Sequence, residues 1–233
     1  MGASGQFQLG WCEMNDSMLF PDASGKPDTS ITIPRLEILG IFGSGKSTLA
    51  EKLSRSGQVH AVCEQHQANP YWGATRILDR FGYLGYELSF LLHHALLLQS
   101  SFELSGTLDL LSCDWSYLSD KVWAGSRLKT KELQAYLQVH EAVTGQCGNP
   151  TAYLYLDEPP AVVLQRIKAR GRPEELDVTL PMLQRASDLL AQEVERVVDI
   201  PVIRVSSGLE PSDMLAAVSE RTGTQFRHTP QKT

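Results

Sequence analysis

The chain has 233 residues, of which 42% are hydrophobic and 21% charged, and this composition suits one α/β domain with a buried core. Its formal net charge of -6 argues against duplex nucleic acid as the main partner, because binding to a phosphate backbone needs clustered Lys and Arg. The sequence shows no charged start followed by an apolar signal core, and its most apolar helical stretch, Leu88–Leu98, is too short to span a bilayer. We therefore expect a soluble, cytoplasmic protein that does not bind membranes.

The predicted elements begin after a segment, residues 1–32, that is rich in Gly, Ser, Asp and Pro and is interpreted as a loosely ordered extension. From 33 to 222, short apolar runs alternate with helical patterns, which is typical of strand–helix units in a parallel sheet; residues 223–233 form a tail. The predicted strands are Arg35–Leu39, Val59–Cys63, Leu108–Cys113, Ala152–Leu156 and Val202–Val205. The predicted helices begin at Lys46, cover Gly85–Phe102, Lys131–Val143, Ala161–Arg170 and Leu180–Val198, and begin again near Asp213.

A phosphate-binding pattern lies between the first strand and the first helix. Residues 40–47, GIFGSGKS, match GxxxxGK[ST] at every fixed position. Glycines let successive main-chain N–H groups turn toward phosphate oxygens, and the helix N-terminus adds a partial positive charge. Lys46 is expected to reach the β- and γ-phosphates, and the Ser47 hydroxyl to ligate Mg²⁺. The predicted nucleotide-binding residues are Gly40, Gly43, Ser44, Gly45, Lys46, Ser47 and Thr48.

A P-loop alone does not distinguish a GTPase, a mechanical ATPase or a small-molecule kinase. The base-reading motif NKxD of GTPases is absent from the sequence. Ring and transporter ATPases need longer chains with a further arginine or signature segment. At this length the pattern favours a kinase that uses ATP and Mg²⁺.

Three further segments carry candidate chemistry. Glu64 closes the second strand and Asp114 closes the third, and carboxylates at such positions face the crevice where open α/β sheets bind ligands. A surface glutamate and a helix N-cap are the alternative interpretations of these two residues. The third segment, residues 164–175, reads LQRIKARGRPEE and is rich in arginine.

Taken in this order, the segments resemble the deoxynucleoside kinase family from about Leu36 to Val205. Members carry a P-loop, a Glu at the end of the second strand, a [DE]RS motif followed by an Asp and an aromatic–Ala pair, and a lid of the form RIxxRGRxEE. The lid residues in register are Arg166, Ile167, Arg170, Gly171, Arg172, Glu174 and Glu175. The resemblance implies a P-loop NTPase fold of three α/β/α layers, and we expect a five-stranded parallel sheet of order 2-3-1-4-5 with a lid at about 166–179.

The resemblance also implies a reaction, the transfer of the γ-phosphate of ATP to the 5′-hydroxyl of a deoxynucleoside or a similar acceptor. Glu64 matches the general base, and Asp114 matches an acidic residue that helps to hold Mg²⁺ with Ser47. The arginines that match the lid are Arg166, Arg170 and Arg172, which together with Lys46 complete the expected catalytic set. A solvated basic helix end is the alternative interpretation of the lid arginines.

The expected acceptor site departs from the family pattern. Trp115 stands where the [DE]RS motif has arginine, so one positive charge is missing unless the lid or Lys121 supplies it. In the apolar helix, the best register places His93 at a base-reading Gln position and Ser100 at its partner Arg position, which leaves Asp120 without its usual partner. The expected acceptor-binding residues are Glu64, Tyr71, Tyr83, His93, Asp120 and Glu175, with Trp72 and Phe81 as further stacking candidates.

Two other functions stay open at this point. The departures at Trp115 and His93 also suit a kinase of a nucleoside monophosphate, a nucleoside antibiotic or a non-nucleoside alcohol. A nucleotide-binding protein that has lost turnover is the second alternative. The apolar helix, residues 85–102, could pack against its copy in a homodimer.

Overall fold

A computed structural model describes residues 34–57, 59–72, 78, 80–104, 110–206 and 208–224. They belong to one compact unit, Ile31–Thr233. The extension expected at 1–32 lies outside the described residues, as does the tail after residue 224. The expected domain boundaries therefore stay predictions.

The described residues form one parallel sheet of five strands in the order β2-β3-β1-β4-β5, which confirms the expected order. The strands are β1 (Arg35–Leu39), β2 (His60–Val62), β3 (Leu111–Cys113), β4 (Ala152–Leu156) and β5 (Val202–Val205). Three of them have the predicted bounds, whereas β2 and β3 are shorter than predicted. Both short strands are followed directly by a segment that carries a candidate site residue, Glu64 after β2 and Asp114 after β3.

Helices follow the strands and cover both faces of the sheet. They are α1 (Lys46–Ser54), α2 (Leu84–Leu104), α3 (Tyr117–Arg127), α4 (Thr130–Cys147), α5 (Pro160–Arg170), α6 (Leu180–Glu195) and α7 (Pro211–Thr222). The sequence pattern did not predict α3, although Ser116 caps it by accepting a 2.9 Å hydrogen bond from the Ser119 N–H. Among the described residues, no helix combines the length and the apolar character needed to cross a membrane.

The core lies in layers on the two sides of the sheet. One side of β1 packs against α1 and α7 through fully buried side chains such as Leu36, Ala50 and Val218. On the opposite side, Leu39 packs with Val122 of α3 and with side chains of α6. This three-layer packing confirms the expected α/β/α fold. Because the strands are parallel, their C-terminal ends lie at one edge of the sheet.

A buried ion pair crosses the middle of β1. The Arg35 Nε donates to the Glu37 Oε1 at 2.8 Å, and both side chains are almost fully inaccessible to water. Further donors and acceptors surround the pair: Arg35 nitrogens donate to the carbonyl oxygens of Cys147 and Gly148, and the Glu37 Oε2 accepts from the Tyr117 N–H at 3.1 Å. The pair therefore joins β1 to the end of α4 and to the start of α3.

Replacing Glu37 with Ala should lower the free energy of unfolding by about 3–5 kcal/mol, because the Arg35 charge would stay buried without its partner. Urea unfolding followed by circular dichroism measures the change. The matched control is Glu210→Ala, which removes an ion pair to Lys52 that is largely exposed and should cost about 1 kcal/mol or less. Equal costs for the two variants would contradict the structural role of the buried pair.

Candidate active site

The P-loop, residues 40–47, is a tight turn that only glycine can complete at two positions. Gly43 and Gly45 have φ angles of +81° and +103°, a region that other residues rarely adopt. A Cβ atom on Gly43 would also lie 2.7 Å from the Cγ1 of Ile167 and 3.2 Å from the Cγ1 of Val163. The loop is therefore pressed against α5, the helix that carries the candidate lid arginines.

Lys46 of the P-loop contacts main-chain oxygens of the same loop. The Lys46 Nζ donates to the carbonyl oxygens of Gly40 at 3.0 Å and Ile41 at 3.2 Å. Removal of the ammonium group from water lowers the pKa of Lys46, and the opposing charges of Glu64 and Asp114 limit that effect. Lys46 thus lies within the field of both candidate carboxylates.

The predicted positions of the other P-loop side chains differ in burial. The Ser44 side chain is fully buried, and its main-chain oxygen accepts a hydrogen bond from Arg166 at 3.4 Å. Ser47 and Thr48 are exposed at the start of α1. The helix N-terminus and the Ser47 hydroxyl therefore face the same open side of the sheet edge, as a phosphate site requires.

Asp114 lies at the end of β3, where it contacts both neighbouring segments. It is 5% exposed, and its Oδ1 accepts a 2.7 Å hydrogen bond from the Glu64 N–H. Burial raises the pKa of Asp114, while hydrogen bonds from the Ser47 side chain and the Glu64 N–H lower it. Because Ser116 caps α3, the interpretation of Asp114 as the helix N-cap is wrong. Asp114 and Ser47 are instead hydrogen-bonded to each other and offer adjacent oxygen ligands for a metal ion.

Glu64 extends from the end of β2 toward α2. Its Oε1 lies 3.3 Å from the Nε2 of His94, and its side chain is 29% exposed. Burial on its own would raise the pKa of Glu64, but the hydrogen bond and charge of His94, with the charge of Lys46, lower it below the ordinary value. The carboxylate is thus ionised, partly accessible and close to the P-loop lysine. The interpretation of Glu64 as a solvated surface residue does not fit these contacts.

His94 is a residue of this site that the sequence pattern did not reveal. It is 1% exposed, and its Nδ1 lies 2.8 Å from the Oδ2 of Asp120. Burial on its own would lower the pKa of His94, but Asp120 and Glu64 raise it to about 10. The ring is therefore an imidazolium at neutral pH, and both nitrogens donate hydrogen bonds. A histidine within an apolar helix pattern carries no sequence signal that separates this role from core packing.

The structure gives Asp120 a partner that the expected register of the apolar helix did not include. Asp120 does have a cationic partner, and that partner is His94 rather than a residue at position 100. Ser100 is exposed and lies six residues farther along α2, which corresponds to about 9 Å. The Nε2 of His93 lies 2.8 Å from the main-chain oxygen of Glu64, so His93 contacts the loop after β2. A further contact between His93 and an acceptor stays a prediction.

The missing positive charge does not come from Lys121. The Nζ of Lys121 donates to Glu193 of α6 at 2.8 Å. The Trp115 ring, in contrast, lies parallel to the His94 ring, with a centroid distance of 4.3 Å and an interplanar angle of 2°. At this position the structure therefore combines an indole with an imidazolium.

The expected aromatic residues separate into two groups. Tyr83 packs against Tyr86 with a centroid distance of 6.2 Å, and Trp72 contacts Phe90 at 6.4 Å. Tyr71 is 36% exposed and Phe81 is 73% exposed. The first group is fixed in the surroundings of α2, and for Tyr71 and Tyr83 a direct contact with an acceptor stays a prediction.

The candidate lid arginines are held by carboxylates in this conformation. Arg170 forms two-pronged hydrogen bonds of 2.7–3.0 Å with Glu175, and Arg172 lies 3.5 Å from the same carboxylate. Arg166 pairs with Glu158 at 3.0 Å. Glu175 is 4% exposed and lies in a 3₁₀ turn, Pro173–Glu175, within the expected lid. Its contact with an acceptor hydroxyl stays a prediction, since its described partners are the lid arginines.

Comparisons with known proteins identify the family and the fold. A family model described as deoxynucleoside kinase matches residues 36–210. A deoxyguanosine kinase from Bacillus subtilis (strain 168) is 27% identical over 161 residues, which cover 66% of this chain and 75% of that protein. A solved structure of deoxyadenosine kinase from M. mycoides with bound dCTP has a TM-score of 0.65 at 18% identity, and the match covers 82% of this chain and all of the other. The same enzyme with bound dATP gives 0.64 at 18% identity, over 81% of this chain and 99% of the other.

Replacing Gly43 with Ala should weaken ATP binding by about tenfold or more, because the added Cβ would strain the loop and push it from α5. Isothermal titration calorimetry measures the affinity. The matched control is Gly145→Ala in α4, where a Cβ meets no atom within 4 Å and ATP affinity should not change. Unchanged affinity in Gly43→Ala would contradict the assignment of this loop to phosphate.

Proposed function

This chain belongs to the deoxynucleoside kinase family and is an ATP-dependent kinase that phosphorylates a nucleoside hydroxyl; we propose that the hydroxyl is the 5′-hydroxyl and that Glu64 is the general base. The observation that carries this proposal is the position of Glu64, an ionised and partly exposed carboxylate beside the P-loop lysine. The base of the nucleoside is left open, since the described contacts of His93 and Asp120 are with other residues of this chain.

The donor side of the reaction follows from the P-loop. Its main-chain N–H groups and the N-terminus of α1 would hold the phosphates of ATP, and Lys46 would exchange its contacts with Gly40 and Ile41 for phosphate oxygens. The partial desolvation of the ammonium group strengthens its attraction to those oxygens. These residues position the γ-phosphorus at the sheet edge, close to Glu64.

Ser47 and Asp114 suit a magnesium ion because both offer hard oxygen ligands at the entrance to the P-loop. Mg²⁺ bound there, directly or through water, would neutralise the charge of the β- and γ-phosphates. Asp114 also fixes the main chain of Glu64 through its 2.7 Å hydrogen bond. One side chain therefore connects the donor side to the base.

The acceptor side requires one proton transfer. Glu64 would take the proton of the 5′-hydroxyl while that oxygen forms a bond to the γ-phosphorus. The bond between the γ-phosphorus and the oxygen of the β-phosphate breaks, and ADP leaves. The neutral Glu64 then releases the proton to water.

The lid arginines would complete the site by changing partners. Arg166 and Arg170 are now bound to Glu158 and Glu175, yet both reach the P-loop: Arg166 through the Ser44 oxygen and Arg170 over the Phe42 ring at 5.8 Å. The transferring phosphoryl group, like a carboxylate, offers the arginine fork a bidentate acceptor. A short movement of α5 and the following turn would bring them to it.

With MgATP, we expect ADP release when deoxynucleosides are added, and Glu64→Gln should lower kcat by about 10²–10⁴-fold with ATP affinity unchanged. A coupled ADP assay over deoxynucleosides, ribonucleosides and nucleoside monophosphates measures this. Glu141→Gln, on the exposed side of α4, is the matched control and should keep full activity.

Three outcomes would contradict parts of the proposal. Turnover with monophosphates alone would contradict a nucleoside acceptor. Binding of ATP without turnover on any acceptor would contradict catalysis. A 5′-deoxy analogue that is phosphorylated as well as its parent would contradict the 5′-hydroxyl.

We also propose that two copies pair through α2. Leu92 and Leu96 lie one turn apart on this helix and are 53% and 61% exposed, a pattern that indicates an apolar contact surface. The double variant Leu92→Lys/Leu96→Lys should therefore be a monomer while the parent chain is a dimer. Sedimentation equilibrium measures both masses, and a monomeric parent chain would contradict this proposal.

A further inference from the structure

The side chain of Glu64, at the end of β2, meets three others on the side that faces α2. These are Trp115 after β3, His94 of α2 and Asp120 of α3. Of these, His94, Trp115 and Asp120 are buried, with exposures of 1%, 2% and 8%. The proposed phosphoryl transfer does not by itself require a histidine or an indole at these positions.

The charge of His94 balances two acids. The carboxylates of Glu64 and Asp120 lie against its two ring nitrogens, at 3.3 and 2.8 Å. Within the described part of the chain, the other nearby cations have partners of their own: Lys121 binds Glu193 and Arg127 binds Glu87 at 2.7 Å. The imidazolium is therefore the cation that lies against both acids, while Lys46 and, more weakly, His66 also act on Glu64.

Trp115 stacks on the imidazolium ring of His94. The two rings are parallel, and Tyr117 contacts the indole edge-on at a centroid distance of 5.2 Å. The buried indole N–H has no acceptor among the described residues, so it is through its ring faces that Trp115 makes its specific contacts. A cation over an indole face is attracted by the negative face of the ring, so the stack favours the position that the His94 ring takes above Trp115.

We propose that His94, stacked on Trp115 and anchored by Asp120, is a positioning residue that holds one oxygen of Glu64, so that the other oxygen meets the acceptor hydroxyl. This inference rests on the proposed role of Glu64 as the base. The Oε1 of Glu64 is bound to His94, whereas no hydrogen bond or ion pair joins its Oε2 to another of the described residues. A carboxylate that accepts a hydrogen bond at one oxygen has fewer accessible orientations. Its other oxygen is therefore held in a narrower range of positions relative to the acceptor hydroxyl.

The positively charged stack would also explain how the site tolerates Trp115. An indole cannot provide a positive charge, but it provides the surface on which one is held. Asp120 then acts through His94, because its Oδ2 is bound to that ring. Together, the three residues orient the carboxylate of Glu64.

The first test compares His94→Gln with His94→Arg. Gln keeps a hydrogen-bond donor without charge, so kcat should fall by about 10–100-fold, while the KM values for acceptor and ATP change by less than about threefold. Arg keeps the charge and can stack on Trp115, so it should recover at least about tenfold of that loss. His140→Gln is the matched control: it changes the 2.8 Å contact between the His140 ring on α4 and the main-chain oxygen of Tyr117 at the start of α3, and it should keep full activity.

The second test changes the stacking surface. Trp115→Phe retains an aromatic face and should keep kcat within about threefold, whereas Trp115→Leu should lose activity as His94→Gln does. Thermal unfolding and ATP affinity show whether His94→Gln folds. If it does not fold, the two Trp115 variants test the proposal in its place. Equal activity in Phe and Leu variants, or equal loss in His94→Gln and His94→Arg, would overturn it.

A double variant separates this inference from the proposed function. If His94 acts through Glu64, Glu64→Gln/His94→Gln should be no slower than Glu64→Gln alone. Full activity in Glu64→Gln would contradict the role of Glu64 as base. An inactive Glu64→Gln beside a fully active His94→Gln would overturn only the role of His94. A large rise in acceptor KM at constant kcat in His94→Gln would show that the ring binds acceptor and would also overturn it.

Discussion

The site depends on one constraint, the parallel course of the strands. Since parallel strands end at the same edge, the loops after β1, β2 and β3 must lie side by side. The 2.7 Å hydrogen bond from the Glu64 N–H to Asp114 ties two of these loops together. With Lys46 on the third loop, the proposed base, a candidate metal ligand and the proposed phosphate-binding cation lie close together although they are far apart in sequence.

Charge balance at this edge accounts for much of the surrounding structure. Carboxylates gathered in a partly dry crevice would repel one another and take up protons unless cations lie between them. Lys46 and His94 meet Glu64 from two directions, so the pKa of this carboxyl is lowered despite its burial. In the lid, the relation is reversed: Glu175 is the buried acid that holds Arg170 and Arg172. In both places a buried charge has a partner.

The buried ion pair between Arg35 and Glu37 is connected to the same edge of the sheet. Glu37 accepts the Tyr117 N–H at the start of α3, and Asp120 lies one turn later in this helix. Because Asp120 is bound to His94, the contacts run from β1 through α3 to the side of Glu64. Core packing and the orientation of the proposed base are therefore parts of one connected set of polar contacts.

Much of the fold could be predicted from the sequence, because the signals that define it are local. Alternating apolar runs and helical patterns predicted the strands with little error, and the GxxxxGK[ST] spacing, with the carboxylates after β2 and β3, predicted the phosphate loop and the ligand edge. Helix α3 was missed, since its strongest local signal is the Ser116 cap within a segment interpreted only as a motif.

Tertiary structure decided which side chains meet. A helical register has no sequence marker when one apolar residue follows another, so choosing between His93 and His94 required the direction of each ring. The parallel stack on Trp115 and the pairing of Asp120 with His94 are contacts between separate elements, and such contacts exist only once the chain is packed. The sequence by itself determined the phosphate loop and the chemistry at the strand ends; only the packed chain decided which cation faces the proposed base.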